Sequence, residues 1–282
     1  GNEDTDLFEK IFLVDDIVEE ICKPDKYFLI GEKGSGKTAY SVYMSKSDKI
    51  NSFCSISLVE NTLYQRFLNM KRQKALELSS FKDVWINLIY LILAEKIRKE
   101  YGETFFSSIK YKQLSKAIDV FYSDAFKPEF VNAFEFVDNA SASINSMMKQ
   151  GLFSTGTKAS AETSQKYVEQ SFQISLLKIR DGFEKAFMSV NLKKPTILFV
   201  DGIDARPRDI DNEQYFECLV GLVNAVLEMN QSFLKEKQIK IMLLIRPDIM
   251  YKMPVHNMNQ KLRNNSVLLL SLIHISEPTR PY

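Results

Sequence analysis

The chain reads as an α/β protein built on a parallel β-sheet covered by helices on both faces, with a large helical insertion between strands 2 and 3. Three observations carry that expectation. Short, β-rich apolar runs recur near residues 26–30, 53–58, 196–200, 240–245 and 266–270, as strands buried on both faces require. A glycine-rich loop directly follows the first run. Segments of helical period separate the others, as strands joined by crossover connections demand.

The first strand, Tyr27, Phe28, Leu29, Ile30, runs into Gly31, Glu32, Lys33, Gly34, Ser35, Gly36, Lys37 and Thr38, which fits G-x-x-x-x-G-K-[ST]. Ala39 follows, in a helix expected to begin at Lys37 or Thr38. Glycines let successive backbone N–H groups curl around phosphate oxygens, and the helix N-terminus adds the positive end of its dipole. Lys37 reaches the β/γ-phosphates in such a loop, and the Thr38 hydroxyl serves Mg²⁺, so the motif implies a nucleotide with its metal.

After the second strand, about 135 residues pass before the third, whereas a simple crossover needs only about a dozen. Helical spacing is expected over Leu63–Lys74, Leu76–Tyr101, Leu114–Phe121 and Ser171–Met188. Ser141–Ser164, rich in Ser, Thr, Ala and Gly, reads as a flexible segment. Residues 1–60 and 191–269 are therefore the two parts of the core, and 61–190 the insertion. The most apolar stretch, Val84–Ala94, is bounded by Lys82, Asp83, Glu95 and Lys96. It falls short of the ~20 residues a membrane span needs and reads as a buried helix.

The third strand, Thr196 to Val200, ends at Asp201, Gly202, Ile203, Asp204. It resembles a Walker B strand, in which Asp201 holds a Mg²⁺-bound water beside the phosphate loop. The fourth strand, Ile241 to Ile245, ends in Arg246, Pro247, Asp248. Together, GEKGSGKT, ILFVDGID and IMLLIRPD resemble the signal-transduction ATPases with numerous domains, the STAND class, and their AAA-related bacterial relatives. The resemblance implies a P-loop NTPase fold, ATP with Mg²⁺ as ligands, and Arg246 as a sensor of the γ-phosphate. The alternative for Arg246 is a cap on a strand end. Gly202 stands where AAA-type hydrolases carry the glutamate that polarises water, which makes Asp204 the candidate base and implies slow turnover; its alternative is a surface-loop position. The order of phosphate loop, tryptophan-bearing helix and NQKLRNN is similar to bacterial P-loop ATPases associated with phage defence. The guanine-reading N-K-x-D is absent, since Asn259, Gln260, Lys261 and Leu262 lack the final acid.

Composition bounds the partners. With 282 residues, 45% hydrophobic, 26% charged and a net charge of +1, the chain can fill a sizeable core and carries no global bias toward nucleic acid. Lys71, Arg72, Lys74 and Lys96, Arg98, Lys99 mix with acids at helical spacing and read as solvated faces. Arg206 and Arg208 are candidates for an arginine finger to a neighbouring subunit, or an exposed loop held by Asp209 and Asp211. Cys22, Cys54 and Cys218 are scattered, which argues for a reducing, cytoplasmic compartment and against zinc. No membrane partner is expected. A second copy of the chain or an effector protein is expected to engage the insertion or a C-terminal part missing here.

Residues 270–280, LSLIHISEPTR, resemble the conceptual translation of a transposase sequencing adapter, so 270–282 are read as an artefact and His274 is set aside. His256 is then the one credible histidine. Two other classes remain beside the switch ATPase: a replication-initiator-like DNA-dependent ATPase, and a module that binds ATP without hydrolysing it. A metabolite kinase is disfavoured, because residues 101–170 contain no arginine for a phosphate lid.

Overall fold

The computed structural model describes residues 14–59, 81–102, 111–124, 176–204, 206, 212–253, 262 and 264–269. In chain order they form α1 (Val14–Cys22), β1 (Phe28–Gly31), α2 (Lys37–Lys46), β2 (Phe53–Leu58), α3 (Phe81–Tyr101), α4 (Lys112–Asp124) and α5 (176–189). These are followed by β3 (Thr196–Asp201), α6 (Asn212–Gln231), β4 (Ile239–Ile245), α7 (Pro247–Lys252) and β5 (Ser266–Leu269). All five expected strands are present. Leu63–Lys74, Ser141–Ser164, Arg208, His256 and 270–282 lie outside the described residues.

The five strands form one sheet in the order β2-β3-β4-β1-β5, and every pairing is parallel. The chain leaves β1 for the far edge at β2, steps back through β3 to β4, and then passes over β1 to β5. Connections therefore diverge between β1 and β4. Such a switch point opens a crevice at the carboxyl ends of the strands, where ligands of α/β sheets bind.

Register explains the core. Leu29 lies opposite Leu244 and Val267, Ile197 opposite Cys54, and Phe199 opposite Ile56 and Met242. These side chains share one face, because alternate residues of a strand point the same way. Tyr40, Tyr43 and Met44 of α2 and Ile21 of α1 complete that cluster. Phe28, Leu198, Val200, Ile241 and Leu243 on the opposite face are buried as well. The central strands are thus shielded from water on both sides.

Two buried polar side chains finish the amino ends of the strands. β4 begins at Ile239, four residues before Leu243, the partner of Phe28 at the start of β1, so on the β1 side the backbone of Ile241 has no strand neighbour. The Asn230 amide substitutes for one: Nδ2 donates to the Ile241 carbonyl at 2.8 Å, and Oδ1 accepts from the Ile241 N–H at 2.9 Å. Lys240 Nζ donates to the carbonyls of Ile21 and Lys23, the latter at 2.8 Å, and so caps the C-terminal end of α1.

The described residues cluster into two compact units. One is drawn from Gly1–Val59, Leu192–Arg206 and Val226–Tyr282 and holds the sheet; the other is drawn from Glu60–Asn191 and Pro207–Ala225. In the second, α3 is apolar on nearly every side and buried accordingly. Its Tyr90 stacks on Phe183 and Phe187 of α5, with ring centroids 6.0 and 5.6 Å apart. Trp85 Nε1 donates to the Cys218 carbonyl of α6 at 3.0 Å. A Cβ at Gly221 would stand 2.6 Å from the Phe81 Cβ, so only glycine permits that approach. Arg98 pairs with Glu95 at 2.7 Å, and Glu95 is buried, so this pair does not lie on a fully solvated helix face as the sequence suggested. Among the described residues, no helix is long and apolar enough to cross a membrane.

Candidate functional site

The loop after β1 owes its path to two glycines. Gly34 and Gly36 adopt φ of 84° and 92°, in the left-handed region that residues with a Cβ avoid. Gly36 is also the N-cap of α2, which begins without a side-chain cap, so no capping side chain takes up its first N–H groups. Gly31 is tightly placed for a different reason: a Cβ there would displace the rotatable Ser35 Oγ and stand 3.0 and 3.1 Å from the Cβ atoms of Leu269 and Ser35.

Lys37 folds back across this loop. Its Nζ donates to the carbonyls of Gly31 at 2.7 Å and Glu32 at 3.1 Å, leaving one of three ammonium donors. Burial pushes its pKa down, and the carboxylates of Asp204 and Asp201 oppose that shift. The charge is held in place by two carbonyls and feels the field of two acids.

Asp201, at the carboxyl end of β3, is fixed from two sides. Oδ1 accepts from the Gly202 N–H at 2.7 Å, and Oδ2 accepts from Thr38 Oγ1 at 2.6 Å. Thr38 and Asp201 lie 163 positions apart in sequence. Neighbouring ligands of an octahedral Mg²⁺ stand about 2.9 Å apart, so a hydroxyl and a carboxylate at this separation suit a hard cation. The lysine and the uncapped helix end suit an oxyanion.

The residue after Asp201 admits no side chain. Gly202 has φ of 87°, and a Cβ on it would stand 2.9 Å from the Val59 carbonyl oxygen. A glutamate cannot occupy that position. Asp204, two residues on, is half-buried, and its Oδ1 is buried without a hydrogen-bond partner. Burial raises its pKa, against the opposing pull of Lys37 and Arg246.

Arg246 sits at the end of β4, which lies between β3 and β1, and its charge is felt by both Lys37 and Asp204. Thus Gly31–Ala39, Asp201, Asp204 and Arg246 all stand at the carboxyl ends of adjacent strands. Asp248 was not anticipated: its carboxylate accepts from Arg246 Nε at 3.0 Å and Nη2 at 2.9 Å. The Arg-Pro-Asp spacing was the available signal. Arg206 is exposed, whereas Arg208 lies outside the described residues.

A second cleft, of about 190 Å³, opens at the opposite, amino ends of the strands among Cys22, Thr196, Asn230, Gln238 and Lys240. Asn230 and Lys240 are already committed to backbone groups, so it is part of the scaffold. The chain matches no known protein family, no curated protein and no solved structure, and the site is read from its own geometry.

Proposed function

We propose that the chain is a Mg²⁺-dependent ATP-binding and slowly ATP-hydrolysing switch of the P-loop class, the nucleotide-binding module of a larger cytoplasmic bacterial signalling or defence protein. The observation that carries this reading is the Thr38–Asp201 hydrogen bond beside the Lys37 loop, which joins the two halves of a phosphate-and-metal site across the sheet. Lys37 and the loop N–H groups hold the β- and γ-phosphates. Thr38 and Asp201 hold Mg²⁺, which when bound neutralises phosphate charge. Among the described residues there is no cluster of three or more His, Cys, Asp or Glu, and Mg²⁺ needs none, because substrate phosphates complete its shell.

Asp204 orients the attacking water and accepts its proton, a task suited to a half-buried carboxylate whose pKa is raised. Arg246 meets the γ-phosphate and distinguishes ATP from ADP, as a planar, permanently charged donor fork does well. The helical unit serves as the surface toward a second copy or an effector. The closed position at Gly202 favours one other reading, a module that binds ATP without releasing phosphate.

Mg²⁺-dependent ATP binding and phosphate release, measured on one sample with and without DNA, separate these. For the switch ATPase, Lys37→Ala loses ATP binding, and Asp204→Asn binds ATP but releases phosphate at least a hundredfold more slowly, in the roughly 10²–10⁴ range of a lost general base. Wild-type binding without release leaves the binding module. DNA-stimulated release turns the reading to a replication-initiator-like ATPase.

A further inference from the structure

We propose that Asp248 is a positioning residue for Arg246, gripping the Nε–Nη2 edge of the guanidinium so that its Nη1 edge meets the terminal phosphate of ATP. This rests on the ATP reading above and adds to it the residue that sets nucleotide discrimination.

The contact is a two-point one: Nε to Oδ1 at 3.0 Å and Nη2 to Oδ2 at 2.9 Å. Two parallel bonds fix a guanidinium plane as well as its position. Arginine has five N–H donors, and Asp248 uses two, leaving both Nη1 hydrogens and one on Nη2. The backbone makes the pairing local. Pro247 opens α7 and disfavours helical backbone at the residue before it, and Arg246 is accordingly extended, with φ −91° and ψ 145°.

Stability does not explain the pair. The two side chains are 26% and 43% exposed, and ion pairs in such settings contribute little to folding. Orientation is a better account, because a free arginine must lose rotamer entropy before it can hold a phosphate. Arg246 also stands near enough to Lys37 and Asp204 to shift both, so the held fork already belongs to the phosphate end of the sheet.

The test is the dissociation constant of fluorescent ATP and ADP analogues, each with Mg²⁺, for wild type, Arg246→Ala, Asp248→Asn, Asp248→Glu and the Arg246→Ala/Asp248→Asn double variant. Asp248→Asn is expected to weaken ATP roughly three- to tenfold with ADP unchanged, and the double variant to be no worse than Arg246→Ala alone. Asp248→Glu recovers part of the loss. Tighter ATP binding by Asp248→Asn would mean that Asp248 competes with the phosphate, and overturns the inference. So does equal weakening of ATP and ADP, an additive double variant, or no change, in a protein whose ATP binding still depends on Lys37. If wild type binds ATP no better than Lys37→Ala does, the nucleotide reading itself falls and this inference with it.

Discussion

Gly202 shapes the chemistry by what its position excludes. With φ of 87° and the Val59 carbonyl 2.9 Å from a hypothetical Cβ, Gly202→Ala combines left-handed strain of about 1–2 kcal/mol with a backbone overlap. We expect a loss of about 2–3 kcal/mol in urea unfolding, larger than a surface glycine would show. Asp204 carries a second expectation. Its pKa is raised by burial, so the base is protonated at low pH and the rising limb of phosphate release is displaced upward from that of an ordinary aspartate. Asp204→Asn removes that limb, and a pH profile unchanged in the variant would eliminate Asp204 as the base. The loop, Asp201, Asp204 and Arg246 were legible as residue types because each follows an apolar strand. Their partners were less so: the Arg-Pro-Asp spacing hints that Asp248 takes the Arg246 fork, but nothing in the sequence reveals that Lys37 turns back onto Gly31 and Glu32.

At the scale of elements, the amino ends of the strands hold a testable electrostatic cost. Burial lowers the Lys240 pKa to about 8 from 10.5, so the unfolded chain binds the proton more tightly between those values and stability rises with pH there. Cys54 works the other way: burial pushes its thiol from 9.0 up to about 12, so stability falls above pH 9 as the unfolded thiol ionises. The clean window is pH 8 to 9, where stability should gain about 1 kcal/mol from Lys240. Lys240→Met should flatten that slope in denaturant titrations, whatever it does to overall stability. Strand positions were readable to within about two residues, because apolar runs bounded by turns are a contiguous signal. The helices Val14–Cys22, Asn212–Gln231 and Pro247–Lys252 were not delimited. In Asn212–Gln231 the apolar residues surround the helix and Gly221 interrupts it. Its placement depends on Phe81 and Trp85, far away in sequence.

For the whole molecule, a net charge of +1 gives no global bias toward a polyanion. DNA is therefore expected to leave ATP turnover unchanged, and any DNA affinity to be weak and to vanish with added salt. A several-fold stimulation by DNA at physiological salt would count against the switch. The helical unit has an aromatic cluster of its own in Tyr90, Phe183 and Phe187. Phe183→Ala should cost about 3–5 kcal/mol in its unfolding, as truncation of a fully buried aromatic does.

By itself, the sequence determined the local chemistry: five apolar strands, a glycine-rich loop with Lys37 and Thr38, and acids or an arginine at strand ends. Each of these depends on residues adjacent in the chain. Tertiary structure alone decided the order β2-β3-β4-β1-β5, the union of Thr38 with Asp201 across 163 positions, and the backbone roles of Asn230 and Lys240. Those depend on which buried faces and unpaired backbone groups can satisfy one another at once, and that is a property of the packed chain.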